Sequence, residues 1–292
     1  METTKILKAG KIASEVREYA KSFIKPNMKL LEIAEKIEEK IKKLGGEPAF
    51  PTNLSINEIA AHYTPSHNDE TLAHGLLKVD LGVHVDGWTA DIAFSIDLEA
   101  SSLNKKLIEA SESALKKALE ISKENVSISE IGRAIQKTIE SHGFSPIINL
   151  SGHEMEQYDL HSGITIPNID DGRNEKLKKG LYAIEPFATN GSGKIYEGKP
   201  SEIYSLIDEK NPRTPLARDV LNFIIEEYET LPFCSRWIVK KFGAISLFAI
   251  KELENNGNIQ NYPQLIEVSK AKVSQAENTI LVEKGKITVT AE

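Results

Sequence analysis

Apolar and polar residues alternate through residues 78–96, and an Asp86-Gly87 pair interrupts the alternation once. A period of two on both sides of such a pair predicts two antiparallel strands joined by a two-residue turn. In that register Asp80 faces Ala93. One face of the hairpin is then apolar, with Leu81, Val83, Val85, Ala90, Ile92 and Phe94. The other face is polar, with Asp80, Gly82, His84, Thr89 and Asp91.

Asp80 and Asp91 become diagonal neighbours on the polar face, about 7–8 Å apart at the backbone. Two carboxylates aimed together repel each other, and they need a cation, a shared proton or solvent between them. Oxygen-rich sites bind Mn, Fe(II), Co and Zn as well as Mg. The pair therefore predicts a divalent-metal site, although a solvated sheet face with acidic residues would show the same pattern.

Helical patterns and an internal repeat organise the first two thirds of the chain. Residues 6–24 and 30–44 carry apolar residues at helical spacing, and a similar unit recurs at 101–146. A shift of 98 positions (130 − 32) places Glu32, Ile33, Ile37, Ile41, Gly45 and Pro48 on Glu130, Ile131, Ile135, Ile139, Gly143 and Pro146. The strand with Asp80 then corresponds to a strand pattern with Glu185. The repeat predicts an α+β fold of two duplicated halves, related by a pseudo-two-fold axis, that face each other across a central site.

The second copy contributes further candidate ligands. His153 and His161 lie in SGHEMEQYDLHSG, where Gln157 stands at the place of the second histidine of a zinc-binding HExxH helix, so this is not such a helix. Glu185 lies among apolar residues in the strand pattern of residues 180–189. A carboxylate in such surroundings requires a partner.

The strand signal fades from about residue 193 to residue 270. Two amphipathic helices are predicted there, one over residues 216–228 and one over residues 245–253. We therefore expect residues 193–270 to form a helical insertion in a single catalytic domain of residues 1–292. The halves of that domain would be residues 1–98, and residues 99–192 plus 271–292. Strand patterns return at 278–282 and 287–290 and predict a closing hairpin with Glu277 at its entrance.

The composition is that of a large globular protein, with 292 residues, 40% hydrophobic and 27% charged. A net charge of −7 and an isoelectric point near 5.7 argue against dedicated nucleic-acid binding. No apolar stretch approaches a membrane span, and the N-terminus lacks the apolar core of a signal peptide, so we expect a soluble, cytoplasmic protein. The single cysteine, Cys234, excludes an internal disulfide framework and is expected to be buried.

The candidate ligands occur in the order Asp80, Asp91, His153, Glu185 and Glu277, which resembles the metallopeptidases of the creatinase, or pita-bread, fold. Within that fold the motifs AAHYTPS, GHEMEQYDLHSGITIPN, YAIEPFAT and SQAENTILVEK resemble type 2 methionine aminopeptidases. The 92 positions from Glu185 to Glu277 (277 − 185) leave room for the insertion that distinguishes type 2 from type 1. The chain begins directly with the first predicted helix, so the resemblance is to the compact, archaeal form.

The resemblance implies a central antiparallel sheet and a site for two divalent metal ions, such as Co, Mn, Fe(II) or Zn. Asp91 and Glu277 would bridge the two ions. Asp80 would complete the coordination of one ion, and His153 with Glu185 would complete that of the other. In general, paired metals lower the pKa of a shared water and polarise the scissile carbonyl.

The resemblance also implies residues that act on the substrate. His62 corresponds to the histidine that contacts the scissile amide, and His161 to the one that stabilises the oxyanion or positions the substrate. The methionine side chain would occupy a pocket lined by Phe50, His62, Leu160, His161, Phe187 and Tyr262. An apolar pocket with few polar groups suits a thioether, although ordinary core packing would also account for these aromatic residues.

The implied activity is removal of the initiator methionine from nascent proteins and peptides with a small second residue, by metal-activated water attack on the peptide carbonyl. We expect a monomer that acts on methionyl peptides and nascent chains, in association with ribosomes. Two alternatives stay open. A proline-specific aminopeptidase or dipeptidase would share all five ligands, although the insertion weighs against it. A non-enzymatic relative that binds peptides or RNA would have lost ligands, whereas all five are intact here.

Overall fold

Seven α-helices form where apolar residues recur at helical spacing. In this computed structural model, which describes residues 1–292, they are α1 (Thr3–Phe23), α2 (Leu30–Lys43), α3 (Ser102–Ile121), α4 (Ile128–Ser141), α5 (Pro215–Tyr228), α6 (Ser235–Phe242) and α7 (Ser246–Asn256). Hydroxyl caps mark two of the starts, since Ser101 accepts from the amide of Asn104 and Thr214 from that of Ala217. No helix combines the length and the apolar character that crossing a membrane requires.

Sixteen β-strands complete the fold, and all of their pairings are antiparallel. The first half contains β1 (Glu47–Pro48), β2 (Asn53–Ile56), β3 (Ile59–Ala61), β4 (Leu76–Val85) and β5 (Trp88–Asp97). The second contains β6 (Ser145–Pro146), β7 (Ser151–Met155), β8 (Thr165–Pro167), β9 (Gly180–Ile184) and β10 (Phe187–Thr189). The remaining strands are β11 (Ile195–Leu206), β12 (Phe233–Cys234), β13 (Ile259–Glu267), β14 (Val273–Gln275), β15 (Asn278–Glu283) and β16 (Lys286–Val289).

Strands β4 and β5 form the predicted hairpin in the predicted register, with Asp80 opposite Ala93. Asp86 and Gly87 have φ angles of 50° and 78°, as a two-residue turn with left-handed central residues requires. The apolar face of the hairpin is buried through Leu81, Val83, Ala90, Ile92 and Phe94. The polar face is consequently turned away from this core, toward the second half of the molecule.

The predicted duplication is confirmed by the helices and by the strand pairings. Helix α4 spans the positions of α2 after a shift of 98 residues (128 − 30), and β6 spans those of β1 after the same shift (145 − 47). Strand β4 pairs with β1, β2 and β5. In the second half β9 and β10 together take the place of β4, and they pair with β6, β7, β14 and β15.

Each half buries one face of its sheet beneath its own pair of helices. Ile33 and Ile37 of α2 belong to the core on the β4–β5 sheet, and Ile131 and Ile135 of α4 belong to the core on the β9–β15 sheet. The halves meet at β5 and the start of β15, where the amide of Glu277 donates to the carbonyl of Ala93 at 2.9 Å. The uncovered sheet faces therefore line the centre of the molecule.

Residues 193–270 contain the two predicted helices, as α5 and α7, and also the helix α6 and the long strands β11 and β13, which were not predicted. These strands pair with each other, and β13 also pairs with β3 of the first half. The prediction that strand structure fades in this segment is wrong because Pro200 and Pro263 face each other within the ladder and shift its register. Prolines inside a strand pattern argue against a strand, since they lack the N–H that the ladder uses.

The same segment has an apolar core of its own, formed by Ala217, Val220, Leu221, Ile224, Phe233, Ile238, Ala249, Ile250, Leu253 and Ile259. Cys234 is buried beside it and has no disulfide partner, as the sequence predicted. Burial raises the pKa of the Cys234 thiol to about 12, so this cysteine is an unreactive packing residue.

Candidate metal centre and substrate cavity

The polar sheet faces of the two halves bring the five candidate ligands together. Asp80 lies in β4 and Asp91 in β5, where the hairpin register predicts them. His153 lies in β7, Glu185 follows the last residue of β9, and Glu277 precedes the first residue of β15. All five line one cavity of about 240 Å³.

The donor atoms of the cluster lie close enough to share a cation. His153 Nε2 is 3.7 Å from Asp91 Oδ2 and 3.7 Å from Glu185 Oε1. One donor atom from each of Asp91, His153 and Glu277 lies within 4.8 Å of the other two, and all three residues are buried. Metal–donor bonds at such sites are about 2.0–2.2 Å long, so donors at these separations can surround one ion.

The apolar pattern of residues 180–189 predicted one continuous strand, but Glu185 lies in a break between two strands. Strand β9 ends at Ile184 and β10 begins at Phe187. Pro186, which has no N–H to donate, stands in the gap. The interruption leaves Glu185 at the cavity with 15% of its side chain exposed.

Four carboxylates in the buried centre oppose one another's ionisation. Burial raises the pKa of Asp80 to about 7, and a hydrogen bond from Gln275 acts in the opposite direction. Burial, followed by the charge of Asp80, holds the pKa of Asp91 well above its ordinary value. Burial and the neighbouring carboxylates do the same to the pKa values of Glu185 and Glu277. Full ionisation of the four therefore requires positive charge in the site.

The unpaired atoms of the cluster fit a divalent cation. Asp80 Oδ1 and Asp91 Oδ1 are buried and have no hydrogen-bond partner, an arrangement that is costly for a carboxylate unless a cation compensates it. Burial, followed by the charge of His161, lowers the pKa of His153 to about 3, so its imidazole is neutral, as a metal ligand must be. One imidazole among four carboxylates is a donor set that suits Mn, Fe(II), Co or Zn.

Gln275 also belongs to the centre, although it was not among the residues predicted from the sequence. Its Nε2 donates to Asp80 Oδ2 and to Glu277 Oε2, each at 3.3 Å, and the residue is 1% exposed. The amide thus links a carboxylate of the first half to one of the second. Its place in the SQAEN motif could have indicated it. Gln275 stands two positions before Glu277, and side chains two positions apart along a strand point the same way.

His62 lies at the end of β3 and lines the cavity. Its Nδ1 is 3.1 Å from the carbonyl oxygen of Pro263 in β13. Since a carbonyl can only accept, Nδ1 carries the proton and Nε2 is the acceptor nitrogen. Burial lowers the pKa of His62 to about 4, so this tautomer is neutral at pH 7.

His161 lies in the loop after β7, at the cavity. Its ring centroid is 4.5 Å from that of His153. Its amide donates to Asp159 Oδ1 at 3.1 Å, and Glu154 Oε2 holds the end of the loop by accepting from the amide of Ile164 at 3.1 Å. Burial of the imidazole lowers the pKa of His161, although much of the residue is exposed at the surface.

Apart from the ligands, most residues of the cavity wall are apolar, and Asn53, Asn149 and Ser151 add polar groups. The wall includes all the residues predicted for a methionine pocket, Phe50, His62, Leu160, His161, Phe187 and Tyr262. The Tyr262 ring meets the His62 ring edge-on, with 5.5 Å between centroids. Phe187 is 1% exposed, so part of the wall is also packed core.

Several other wall residues were not predicted from the sequence, namely Asn53, Ala61, Asn149, Leu150, Ser151, Ile203, Pro232 and Leu265. Of these eight, Ile203, Pro232 and Leu265 belong to the segment of residues 193–270. Ile203 lies in β11, Leu265 in β13, and Pro232 just before β12. They reach the cavity because β12 pairs with β11, β11 with β13, and β13 with β3, and no pattern local to their own stretch of sequence indicates these contacts.

Comparison with known proteins identifies relatives along the full chain. The sequence profile of metallopeptidase family M24 matches residues 4–283. The chain is 46% identical over 298 residues to a methionine aminopeptidase of Pyrococcus horikoshii, covering 100% of both chains. It is also 46% identical over 291 residues to a methionine aminopeptidase of Methanocaldococcus jannaschii, covering 99% of this chain and 98% of the relative.

Solved structures share the fold at lower sequence identity. A thermophilic Arx1 matches with a TM-score of 0.84 at 16% identity, over 98% of this chain and 90% of that one. A Thermotoga maritima methionine aminopeptidase matches with a TM-score of 0.72 at 22% identity, over 100% and 96%. A Pyrococcus furiosus prolidase matches with a TM-score of 0.62 at 17% identity, over 100% of this chain and 64% of that one. The predicted pita-bread fold is thereby confirmed, and the chain belongs to metallopeptidase family M24, among its methionine aminopeptidases.

Proposed function

We propose that the protein is a metal-dependent aminopeptidase that removes the N-terminal methionine from peptides and nascent proteins with a small second residue. The observation that carries the proposal is that one cavity contains both the five-residue ligand cluster and an apolar wall. Membership of a metallopeptidase family supports hydrolysis of a peptide bond. Full-length methionine aminopeptidases at 46% identity support methionine as the residue released.

The five clustered residues would hold two divalent ions of Co, Mn, Fe(II) or Zn. Asp91 and Glu277 would be shared by both ions, with Asp80 on one side and His153 and Glu185 on the other. Bound there, divalent ions lower the pKa of water and polarise the carbonyl of the scissile bond. Four carboxylates match the charge of two such ions, so the loaded site would be close to neutral.

His62 would receive a hydrogen bond from the substrate. Because Nδ1 donates to Pro263, the neutral ring offers Nε2 as an acceptor, which suits the N–H of the scissile amide. The low pKa of His62, about 4, keeps it in this form across the neutral range. The contact would orient the amide and so favour attack on its carbonyl.

His161 would donate a hydrogen bond to the carbonyl oxygen of the same scissile amide. A neutral imidazole has one N–H, and an oxyanion that develops on the scissile carbonyl is a strong acceptor. The ring centroid of His161 lies 4.5 Å from that of His153, which supports a role beside the proposed metal site. Its contribution would be to stabilise the oxyanion or to position the carbonyl before attack.

The apolar wall would select the first residue of the substrate. Phe50, Leu160 and Phe187 offer a surface of low polarity that suits an unbranched thioether. His62 and Tyr262 close the wall with aromatic edges. A branched or charged first residue would either clash with these groups or bury an unpaired polar atom.

The segment of residues 193–270 would be a subdomain of a single catalytic domain, residues 1–292. Its separate core supports this division, with residues 1–98 and residues 99–192 plus 271–292 as the two halves. The subdomain would restrict space beside the second residue through Ile203, Tyr262 and Leu265. The protein would be a cytoplasmic monomer. Its partners would be methionyl peptides and nascent chains at the ribosome.

Cleavage of two short peptides, one beginning Met-Ala and one beginning Ala-Pro, tests the proposal. Each is incubated with protein loaded with Mn or Co and with protein treated with a chelator. We expect free methionine from the first peptide only, and only with metal present. Faster cleavage of the Ala-Pro peptide would instead support a proline-specific peptidase, and no cleavage by protein with bound metal would support a binding role.

A further inference from the structure

A buried ion pair joins the first half of the molecule to the subdomain of residues 193–270. Arg236 in α6 donates from Nη1 to Glu38 Oε2 at 2.7 Å and from Nη2 to Glu38 Oε1 at 2.9 Å. Arg236 is 4% exposed and Glu38, in α2, is 6% exposed. Trp237 adds a hydrogen bond from Nε1 to Glu38 Oε2 at 2.8 Å. The two-point contact fixes the orientation of both side chains.

The remaining hydrogen bonds of this pair reach the two ends of the segment that contains β2 and β3. Glu38 Oε1 accepts from the amide of Thr52, just before β2, at 3.2 Å. Arg236 Nε donates to the carbonyl of Pro65, beyond β3, at 3.2 Å. Thr64 joins these ends directly, because its hydroxyl donates to the carbonyl of Thr52 at 2.9 Å. The ion pair therefore holds the base of residues 52–65.

His62 lies within this segment and has a backbone that needs support. Its φ angle is 66°, in the left-handed region that residues other than glycine rarely occupy. Such a conformation persists only where the surrounding structure holds it. Beside His62, the amide of Leu54 donates to the carbonyl of Tyr63 at 2.6 Å, and the imidazole itself bonds to Pro263 of the subdomain.

We propose that Arg236 and Glu38 are positioning residues for His62. They fix the position of helix α6, and with it the subdomain, relative to residues 52–65, the segment that carries His62 at the cavity. Burial of an ion pair is by itself a weak source of stability, since apolar residues of similar size often serve as well. Its fixed two-point geometry is better suited to set the position of a group that acts on the substrate. The inference rests on the proposed aminopeptidase activity.

The test compares the effect of Arg236→Lys in two backgrounds, the wild-type protein and His62→Ala. Lysine keeps the positive charge but cannot reproduce the planar fork or the separate Nε bond to Pro65. A displacement of about 1 Å in an active site can lower the rate by as much as 10²-fold. We expect Arg236→Lys to lower kcat for a Met-Ala peptide at least about tenfold in the wild-type background, with bound metal unchanged.

In the His62→Ala background the same substitution should change kcat by less than about twofold, because two residues that act through one group have non-additive effects. An equal loss in both backgrounds would overturn the inference and leave a merely structural ion pair. An unchanged kcat in folded Arg236→Lys would also overturn it. Glu38→Gln, which keeps the size of the side chain, takes the place of Arg236→Lys in the same cycle if the lysine variant does not fold.

Arg133→Lys is the matched control, since Arg133 pairs with Asp170 at 2.6 Å on the exposed surface of α4. It should leave kcat unchanged in both backgrounds. Failure of this inference can be distinguished from failure of the proposed function. Failure of the proposed function would appear as wild-type protein that binds metal but cleaves no Met-Ala peptide, whereas failure of this inference requires an active wild-type protein.

Discussion

The hydroxyl of Thr279 in β15 binds both backbone polar groups of Asp91 in β5. It accepts from the Asp91 amide at 2.8 Å and donates to the Asp91 carbonyl at 2.9 Å. Thr279 is fully buried, and the two strands belong to different halves of the molecule. The position of a proposed bridging ligand in one half thus depends on one side chain of the other half.

Replacement of Thr279 should therefore weaken both the fold and the metal site. Thr279→Val keeps the shape but leaves the amide and carbonyl of Asp91 unpaired, which should lower the free energy of unfolding by about 1–3 kcal/mol. Metal affinity should fall by roughly 10–100-fold, as is typical when groups that orient ligands are lost. Urea unfolding in chelator and calorimetric metal titration measure the two effects. Thr288→Val on exposed β16 is the control, and wild-type metal affinity in Thr279→Val would contradict the account.

Glu267 connects the two ends of the subdomain and should make its stability depend on pH. The carboxylate accepts from the amide of Ser192 at 2.6 Å, the hydroxyl of Ser269 at 2.7 Å and the amide of Ala271 at 3.1 Å. Burial alone would raise the pKa of Glu267, but these hydrogen bonds hold it at about 2. Because this pKa is below the ordinary glutamate value of about 4.3, ionised Glu267 stabilises the fold above that pH, and the contribution disappears as the pH falls toward 2.

Glu267→Gln should accordingly lower the free energy of unfolding by about 2 kcal/mol at pH 7, and the difference from wild type should shrink below about pH 4. Urea unfolding of both proteins at a series of pH values between 7 and 3 gives the comparison. Glu226→Gln, on the exposed face of α5, should change stability by less than about 0.5 kcal/mol at any pH. A difference for Glu267→Gln that stays constant with pH would show that its carboxylate charge is not what stabilises the subdomain.

The three cavity histidines should separate into two classes. His153→Ala should lose bound metal, whereas His62→Ala and His161→Ala should retain metal and lose roughly 10²-fold or more in kcat. Metal content and kcat/KM, measured on the same samples, distinguish the classes. His74→Ala on the exposed surface is the control. Metal loss from His161→Ala equal to that from His153→Ala would mean that His161 is a ligand.

The size of the second substrate residue should limit cleavage more than its polarity does. Peptides beginning Met-Ala, Met-Gly or Met-Ser should be cleaved, and those beginning Met-Leu or Met-Lys scarcely, because steric overlap with the subdomain excludes large side chains. At the first position norleucine should replace methionine well, whereas loss of each methylene costs about 1–3 kcal/mol, so alanine should be poor. Values of kcat/KM across the series test this. Equal values for Met-Leu and Met-Ala would refute the proposed wall.

The parts of the fold that could be predicted depend on signals close together in sequence. The Asp86-Gly87 turn sets the register of β4 and β5, so the shared face of Asp80 and Asp91 follows from adjacent residues. The position of α4 follows from the repeat, because both copies keep the same spacing of buried isoleucines. Local turn chemistry and periodicity decide these features, and tertiary contacts only reinforce them.

The parts that could not be predicted depend on contacts between distant segments. Strands β11 and β13 carry prolines that argue against strands, and the pairing of β11 with β13 and of β13 with β3 stabilises them nonetheless. Pro263 binds His62 across some two hundred positions of sequence, and no local pattern indicates the tautomer that results. Sequence patterns singled out His153, Glu185 and Glu277, and the resemblance to pita-bread metallopeptidases joined them into one ligand set, but only the folded chain shows the donor separations.

The most direct test of the central claim measures bound metal and kcat/KM for a Met-Ala peptide on the same preparations of wild-type protein and Asp91→Asn. Asparagine keeps the size of the side chain and removes one of the four carboxylates. The account predicts that metal-loaded wild type cleaves the peptide, that chelator abolishes cleavage, and that Asp91→Asn loses metal affinity and activity together by orders of magnitude. Full activity of Asp91→Asn with full bound metal, or of wild type without metal, would contradict it.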